Sequence, residues 1–171
     1  MNRAPLLALA DACRAVPGEF WECGVHRGKT AVRLRDLLHT DRRTLRLFDT
    51  FCGRPPKGPE DTGASKTLFA DTSETTVRAC LPESFIAWHV GLIPETFVGL
   101  EDARIAFAFL DLDLYGPTRE ALAFVLPRVQ PGAAVVVHDY QQPLWPGVTT
   151  AVRDVAPDAA LMADHFAVVR R

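Results

Sequence analysis

Residues 19–34, EFWECGVHRGKTAVRL, decide the fold of this chain. They begin with a short apolar run, Phe20 to Cys23, of the kind that forms a strand buried on both faces. A turn containing Gly24 and Gly28 follows, and the residues from Thr30 to Leu38 repeat apolar side chains at helical spacing. A strand, a glycine turn and a helix in this order place the start of the helix beneath a bound ligand in doubly wound α/β proteins.

The chain on the C-terminal side continues to alternate strands and helices. Four more apolar runs have the length of strands: Leu45 to Phe48, Phe85 to Val90, Ile105 to Leu110 and Ala133 to Val137. Pro117 to Val129 predicts a helix with proline in its first turn. Two final runs, Ala159 to Ala163 and Phe166 to Arg170, predict an antiparallel hairpin. We therefore expect one α/β domain over residues 1–171, doubly wound and Rossmann-like, whose seven-stranded sheet is mostly parallel and ends in that hairpin.

Composition limits the possible classes of protein. The 171 residues, 48% of them apolar, suffice for one two-sided core. A net charge of −2 leaves no basic surplus for nucleic-acid phosphates or an anionic membrane. No run of about 18 apolar residues occurs, and Met1 to Val16 predicts an amphipathic helix rather than an export signal. Four widely spaced cysteines without a CxxC pair fit free thiols. We expect a cytoplasmic protein without nucleic-acid or membrane partners.

The glycine turn is compatible with three kinds of ligand. A phosphate-binding P-loop ending in Gly28-Lys29-Thr30 would need glycine where this chain has Cys23. A dinucleotide fingerprint also fails, because three residues separate Gly24 from Gly28. Glu22 at the strand end would repel phosphates but suits the cationic amino group of S-adenosylmethionine. We therefore predict this methyl donor, held by Glu22, Gly24, Gly28 and Thr30; the alternative is a tight turn without a ligand.

Two later strand ends extend the predicted donor site. Asp49 lies 21 residues after Gly28, close to the ~20-residue offset at which an acidic side chain meets an adenosine ribose. The alternative role for Asp49 is to cap the next turn. Gly91 ends the third strand, where the backbone could approach an adenine ring closely. His89, within that strand, is expected to be a core histidine.

Acidic residues and a histidine follow the fourth and fifth strands. Asp111 comes directly after one apolar run, and His138 and Asp139 come after the next. The carboxyl ends of neighbouring strands lie ~4.8 Å apart, so these three side chains could converge on one proton or one ion. They are our candidates for general-base catalysis and equally for binding a divalent metal. The alternative is that Asp111 and Asp139 only cap the following helices.

A further set of segments is similar to a known family. The set comprises Glu22 to Gly28, Phe48 to Phe51 with Gly53 and Pro55, Phe69 to Ser73, Leu110 to Tyr115, His138 to Tyr140, and Pro146 to Val148. Together they resemble class I S-adenosylmethionine-dependent methyltransferases of the macrocin O-methyltransferase family, which methylate sugar hydroxyls in macrolide biosynthesis. The resemblance extends from Gly18 to Val155.

This resemblance implies an activity and a set of roles. It implies donor contacts at Glu22, Gly24, Gly28, Asp49 and Asp111, and a Mg²⁺-assisted base at Asp111 with His138 and Asp139 as further ligands. The sequence departs from the family at His138, where an acidic residue is expected. It also lacks most of the N-terminal extension that helps to build the sugar pocket. We therefore expect O-methylation of a small-molecule hydroxyl without a defined acceptor, and a homo-oligomer if a second subunit completes the pocket.

Other interpretations remain at this point. Gly28-Lys29-Thr30 and the acidic end of the strand before Asp111 also suit a P-loop phosphotransferase. A non-catalytic module of the same fold could bind a nucleoside or a protein partner. The loop from Cys52 to Ser65 is rich in proline and glycine, and its length predicts a lid on the acceptor side.

Overall fold

A computed structural model describes residues 3–62, 69–163 and 165–171 of the chain. The five α-helices in the described residues are α1 (Ala4–Ala12), α2 (Lys29–Leu38), α3 (Glu74–Ala79), α4 (Tyr115–Val125) and α5 (Pro146–Val155). The strands are β1 (Glu19–Cys23), β2 (Leu45–Asp49), β3 (Ile86–Val90), β4 (Ile105–Leu110), β5 (Val129–Val137), β6 (Ala160–Met162) and β7 (Phe166–Arg170).

All seven strands form one sheet in the order β3-β2-β1-β4-β5-β7-β6. The first five strands run parallel to their neighbours, whereas β7 is antiparallel to both β5 and β6. This arrangement confirms the predicted mostly parallel sheet with a C-terminal hairpin. Because the chain order reverses on either side of β1, the ends of β1 and β4 form the crevice where ligands bind in open α/β sheets.

Alternating side chains along the strands build a core on each face of the sheet. Phe20 of β1 packs with Leu6 of α1 and Leu34 of α2 on one face. The next residue, Trp21, packs with Leu122 of α4 and Val148 of α5 on the other. The central strands β1 and β4 thus bury both of their faces, as the continuous apolar run of β4 requires.

The helix predicted from Pro117 to Val129 has different bounds in the structure. Helix α4 begins two residues earlier, at Tyr115, and ends at Val125. A short 3₁₀ turn from Leu126 to Arg128 follows, since Pro127 cannot donate the hydrogen bond that would continue an α-helix. Strand β5 then begins at Val129, four residues before the predicted start.

The N-terminal residues form helix α1, as predicted, and its Leu6 and Leu9 are buried against the sheet. In the part of the chain that the structure describes, no helix combines the length and apolar content needed to cross a bilayer. All four cysteines are free thiols; Cys13 and Cys23 are buried, and Cys52 and Cys80 are exposed.

Candidate active site

A cavity of about 360 Å³ opens at the carboxyl ends of strands β1 to β5. Its volume lies within the range of about 300–1,000 Å³ that is usual for small-molecule sites. Eight of the nine residues predicted for the site line it: Glu22, Gly24, Thr30, Asp49, Gly91, Asp111, His138 and Asp139. Residues predicted separately, from five parts of the sequence, thus lie around a single cavity.

Gly24 is required by the close approach of two strand ends. Its φ of +91° is unfavourable for other residues, and a Cβ atom placed there would lie 1.9 Å from the backbone oxygen of Asp111. The N–H of Gly24 donates to the carbonyl of Phe48 at 2.8 Å, and the N–H of Asp111 donates to the carbonyl of Cys23 at 2.8 Å. The turn therefore joins the ends of β1, β2 and β4 without a side chain between them.

Gly28, the ninth predicted residue, does not line the cavity and instead shapes the turn. It precedes the first residue of α2 with a φ of +74°, and its N–H donates to the carbonyl of Val25 at 2.8 Å. A Cβ atom on Gly28 would lie 2.9 Å from Cγ1 of Val77 in α3. Of the two glycines of the turn, Gly24 lines the cavity and Gly28 does not, and contact of either with a ligand remains a prediction.

The carboxylate of Asp49 holds the turn in place. Its Oδ2 accepts the N–H groups of Val25 and His26, each at 2.7 Å, and its Oδ1 accepts the N–H of Phe51 at 2.7 Å. This is the capping role considered as the alternative for this residue. Asp49 also lines the cavity, and each carboxylate oxygen can accept more than one hydrogen bond. Its contact with a ribose remains a prediction.

Glu22 is a buried carboxylate with an unsatisfied oxygen. The residue is 1% exposed, and its Oε2 has no hydrogen-bond partner within the described residues. Burial raises the pKa of Glu22 well above its ordinary value; Asp111 and Asp49 raise it further, and Arg3 acts in the opposite direction. Groups of this kind are uncommon in folded proteins and point to a missing partner.

Arg3 lies beside Glu22 and was missed by the sequence analysis. Side chains alternate along a strand, so Glu22 lies on the same face as Phe20, the face that α1 covers. Arg3 immediately precedes α1; its Nε donates to Oγ1 of Thr30 at 2.7 Å, and its side chain lines the cavity. The cavity therefore has a carboxylate and a guanidinium at the same end.

Asp111, His138 and Asp139 form a compact cluster in the cavity wall, at the ends of β4 and β5. The Nδ1 atom of His138 lies 2.9 Å from Oδ1 of Asp111 and 3.2 Å from Oδ2 of Asp139. Burial, the largest single influence, lowers the pKa of His138, but the hydrogen bonds to the two carboxylates outweigh it and raise this pKa to about 10. The three residues that were predicted to converge do so in the structure.

Asp113 belongs to the same cluster and was not predicted. Burial raises its pKa to about 8, and the nearby Asp111 and Asp139 contribute to this shift. Both Asp113 and Asp139 adopt left-handed backbone conformations, with φ of +62° and +63°. Backbone strain of this kind in non-glycine residues concentrates at functional sites. The sequence signal was present in the spacing Asp111-Leu112-Asp113, which places a second acid just beyond the end of β4.

The end of β3 contributes Gly91 to the cavity wall. Its N–H donates to the carbonyl of Asp49 at 3.0 Å, which keeps this backbone against the end of β2. His89, two residues earlier, does not line the cavity. Its ring stacks on Phe48, with centroids 4.5 Å apart, and its Nε2 lies 3.2 Å from Nη1 of Arg46. These contacts agree with the predicted structural role for His89.

The long loop after β2 is fixed to the domain by Asp61. Oδ1 of Asp61 accepts the N–H of Tyr115, the first residue of α4, at 2.9 Å, and Oδ2 accepts the N–H of Gly58 at 3.1 Å. Earlier in the loop, the Arg54 guanidinium lies over the rings of Trp145, at 4.7 Å, and Phe69, at 5.7 Å. These three residues line the cavity and were not predicted.

The residues after the loop return to the glycine turn. Nε2 of His26 lies 2.7 Å from Oδ1 of Asp71, which also pairs with Arg27. Oγ1 of Thr72 donates to the carbonyl of His26 at 2.6 Å. The predicted lid, Cys52 to Ser65, is described only as far as residue 62, and its last three residues lie outside the described part. Its function as a lid remains a prediction.

The strand order, the antiparallel β7 and a cavity above a glycine turn define the methyltransferase class of doubly wound α/β proteins. The chain belongs to one family of this class, since residues 8–168 match the family model of Macrocin-O-methyltransferase (TylF). The resemblance noted in the sequence is thereby confirmed.

Curated relatives of this chain methylate oxygen atoms, according to their names. The 8-demethyl-8-(2,3-dimethoxy-alpha-L-rhamnosyl)-tetracenomycin-C 4'-O-methyltransferase of Streptomyces olivaceus is 30% identical over 147 residues, which cover 77% of this chain and 55% of that protein. The Mycinamicin III 3''-O-methyltransferase of Micromonospora griseorubida is 28% identical over 142 residues, covering 73% of this chain and 56% of the relative. This chain therefore spans about half the length of the curated relatives it matches.

Solved structures share the fold over nearly the whole chain. The O-methyltransferase NovP superimposes with a TM-score of 0.81 at 25% identity, covering 98% of this chain and 78% of NovP. CalS11, a calicheamicin methyltransferase, superimposes with a TM-score of 0.79 at 24% identity, covering 97% of this chain and 78% of CalS11.

Proposed function

We propose that this chain transfers a methyl group from S-adenosylmethionine to a hydroxyl group of a small molecule. The observation that carries the proposal is the buried Glu22, whose Oε2 lacks a hydrogen-bond partner among the described residues, with Arg3 beside it. The methionine end of the donor has one ammonium group and one carboxylate. Glu22 suits the ammonium group and Arg3 suits the carboxylate, so the cavity offers a complementary charge to each.

The remaining donor contacts follow from the same cavity wall. Gly24 leaves room for the donor to lie against the backbone where β1 and β4 meet. Asp49 offers carboxylate oxygens to a ribose at the end of β2, and Gly91 offers a side-chain-free surface to an adenine. Thr30, held by Arg3, completes the methionine end. In this proposal the methionine, ribose and adenine parts of the donor lie in turn at the ends of β1, β2 and β3.

Chemistry is proposed for the end of the cavity formed by β4 and β5. When bound, S-adenosylmethionine supplies a methyl carbon activated by its sulfonium. The protein must therefore mainly align the acceptor oxygen in line with that carbon and remove its proton. We assign the proton to the carboxylate of Asp111, which His138 orients through the 2.9 Å hydrogen bond. Asp139 holds the other side of the His138 nitrogen.

Magnesium is the ion expected from the family resemblance, with Asp111, His138 and Asp139 as its ligands. Mg²⁺ prefers octahedral sets of oxygen atoms, whereas one of these three side chains offers an imidazole nitrogen. The donor set therefore fits Mg²⁺ poorly, and no step of the proposed reaction involves this ion.

A sugar or another natural-product intermediate is the proposed acceptor. Two relatives are named for positions on a tetracenomycin and on mycinamicin III. The rings of Phe69 and Trp145 and the cation of Arg54, which also line the cavity, offer surfaces against which such a molecule could pack. A second subunit that completes this pocket, and a cytoplasmic location in keeping with the free thiols, belong to the same proposal.

Calorimetry tests the donor, and a transfer assay tests the reaction. Binding of S-adenosylhomocysteine should be detectable at micromolar concentration, while ATP with Mg²⁺ should give no heat of binding. Purified chain with labelled S-adenosylmethionine should then transfer label to sugar-bearing hydroxyl acceptors. Micromolar ATP binding without a response to S-adenosylhomocysteine would instead support the P-loop phosphotransferase, which the curated relatives do not favour. Donor binding without any acceptor would support the non-catalytic module.

A further inference from the structure

Two of the three carboxylates in this cluster, those of Asp111 and Asp139, share a single nitrogen atom of His138. Nδ1 of His138 lies 2.9 Å from Asp111 and 3.2 Å from Asp139, so the hydrogen on this nitrogen faces an oxygen of each. One ligand atom from each of the three residues lies within 4.8 Å of the others. A cation bound to these two oxygens would compete with the His138 nitrogen for them.

His138 is held firmly in this position. Its backbone N–H donates to the carbonyl of Leu110 at 2.9 Å, which continues the pairing of β5 with β4. Its ring packs against Phe166 of β7, with centroids 5.3 Å apart, and against Phe109 of β4, at 6.5 Å. Moving the ring away to admit an ion would disturb the packing of two buried strands.

The chemistry of the group leads to the same conclusion. Two neighbouring carboxylates repel each other, and a cation between them offsets this repulsion. Here the N–H of His138 donates to both and already supplies that positive partner. A divalent ion would have to displace this hydrogen and would gain a nitrogen ligand, whereas hard cations such as Mg²⁺ favour oxygen.

We propose that the Asp111–His138–Asp139 cluster works without Mg²⁺ or another hard divalent cation, with the His138 side chain taking the place of the ion between the two carboxylates. A catalytic role for the cluster rests on the proposed methyltransferase function, whereas its lack of affinity for such an ion is a property of the cluster itself. It can therefore be tested without a methyl acceptor.

Metal binding to the purified full chain is the direct test. We expect no binding of Mg²⁺ or Mn²⁺ tighter than about 1 mM, measured by calorimetry and, for Mn²⁺, by electron paramagnetic resonance. The matched variant His138→Asp replaces the imidazole with a carboxylate, and it should bind Mg²⁺ or Mn²⁺ at least about tenfold more tightly than the wild type. Circular dichroism would establish that this variant is folded.

The outcomes separate the two proposals. Wild-type chain that binds either ion below about 1 mM, or that loses at least half of its methyl transfer in EDTA and regains it with Mg²⁺, overturns the proposal. Should His138→Asp fail to fold, the wild-type titration decides alone. Lack of methyl transfer with every acceptor would count against the proposed function only, because ion binding is measured without an acceptor.

Discussion

Glu22 is the residue whose environment is least explained by folding alone. A buried carboxylate with an unsatisfied oxygen destabilises a protein unless a partner is present. Glu19, on the same strand, is different: both of its oxygens accept from the Arg46 guanidinium, and Trp21 donates to one of them. The two acidic residues of β1 therefore differ in that only Glu22 has an oxygen available for a ligand.

The variant Glu22→Gln should bind S-adenosylhomocysteine at least about tenfold more weakly, since a charge-assisted hydrogen bond to the ammonium group is lost. Calorimetry would measure the affinity. The variant Glu19→Gln is the matched control and should keep the wild-type affinity while losing stability. Equal affinity in wild type and Glu22→Gln would contradict the assignment of the methionine end.

Glu22 should also give the unliganded protein a distinctive pH dependence. Its pKa is raised well above 4.5 in the folded state, so the folded protein keeps a proton that the unfolded chain loses. The free energy of unfolding should therefore fall as the pH rises from about 4.5 through the folded-state pKa. The variant Glu22→Gln has no carboxyl group to titrate at this position. Its free energy of unfolding, measured in urea, should therefore rise relative to that of the wild type as the pH increases. A difference between the two that is constant from pH 5 to 8 would refute the shift.

Gly24 should tolerate no side chain. In Gly24→Ala, the Cβ atom would collide with the Asp111 backbone, and we expect a loss of at least about 2 kcal/mol in the free energy of unfolding. Gly116→Ala is the control, because a Cβ atom there meets nothing within 4 Å and alanine favours a helix. Urea denaturation measures both. Equal stability of the two variants would contradict the close approach of the Gly24 and Asp111 backbones.

At the scale of elements, the loop after β2 depends on Asp61 for its position. The variant Asp61→Ala removes two hydrogen bonds and should cost about 1–3 kcal/mol of stability. Because this loop carries Arg54, the KM for an acceptor should rise, whereas donor affinity should change little. Asp102→Ala, at an exposed position, is the control and should be silent. If Asp61→Ala had the same acceptor KM as the wild type, the loop would have no role in acceptor binding.

The strands and the strand-end residues could be predicted because both follow from local patterns. Apolar runs mark buried parallel strands, and parallel strands bring their carboxyl ends together, which is why Asp111 and His138 meet. Arg3 and Arg54 could not be predicted in this way. Arg3 reaches the cavity because α1 folds back across the sheet, and Arg54 because its loop is tied to α4. Neither path leaves a periodic signal in the sequence.

At the scale of the whole molecule, donor binding should stabilise the fold. S-adenosylhomocysteine at 100 times its Kd contributes about 2.7 kcal/mol if it binds only the folded state. In a domain of this size, that should raise the melting temperature by roughly 5–10 °C. Differential scanning fluorimetry measures the shift, with ATP and Mg²⁺ as the control ligand. No shift with the first ligand, or the same shift with both, would count against the proposed donor.

The position of β7 has a consequence for how the chain is made. β7 lies between β5 and β6 and buries Phe166 and Ala167, although it is translated long after β5. Until residues 160–170 leave the ribosome, the valines of β5 form an open, apolar sheet edge. Nascent or proteolysed chains that lack this hairpin should therefore associate with one another and engage chaperones.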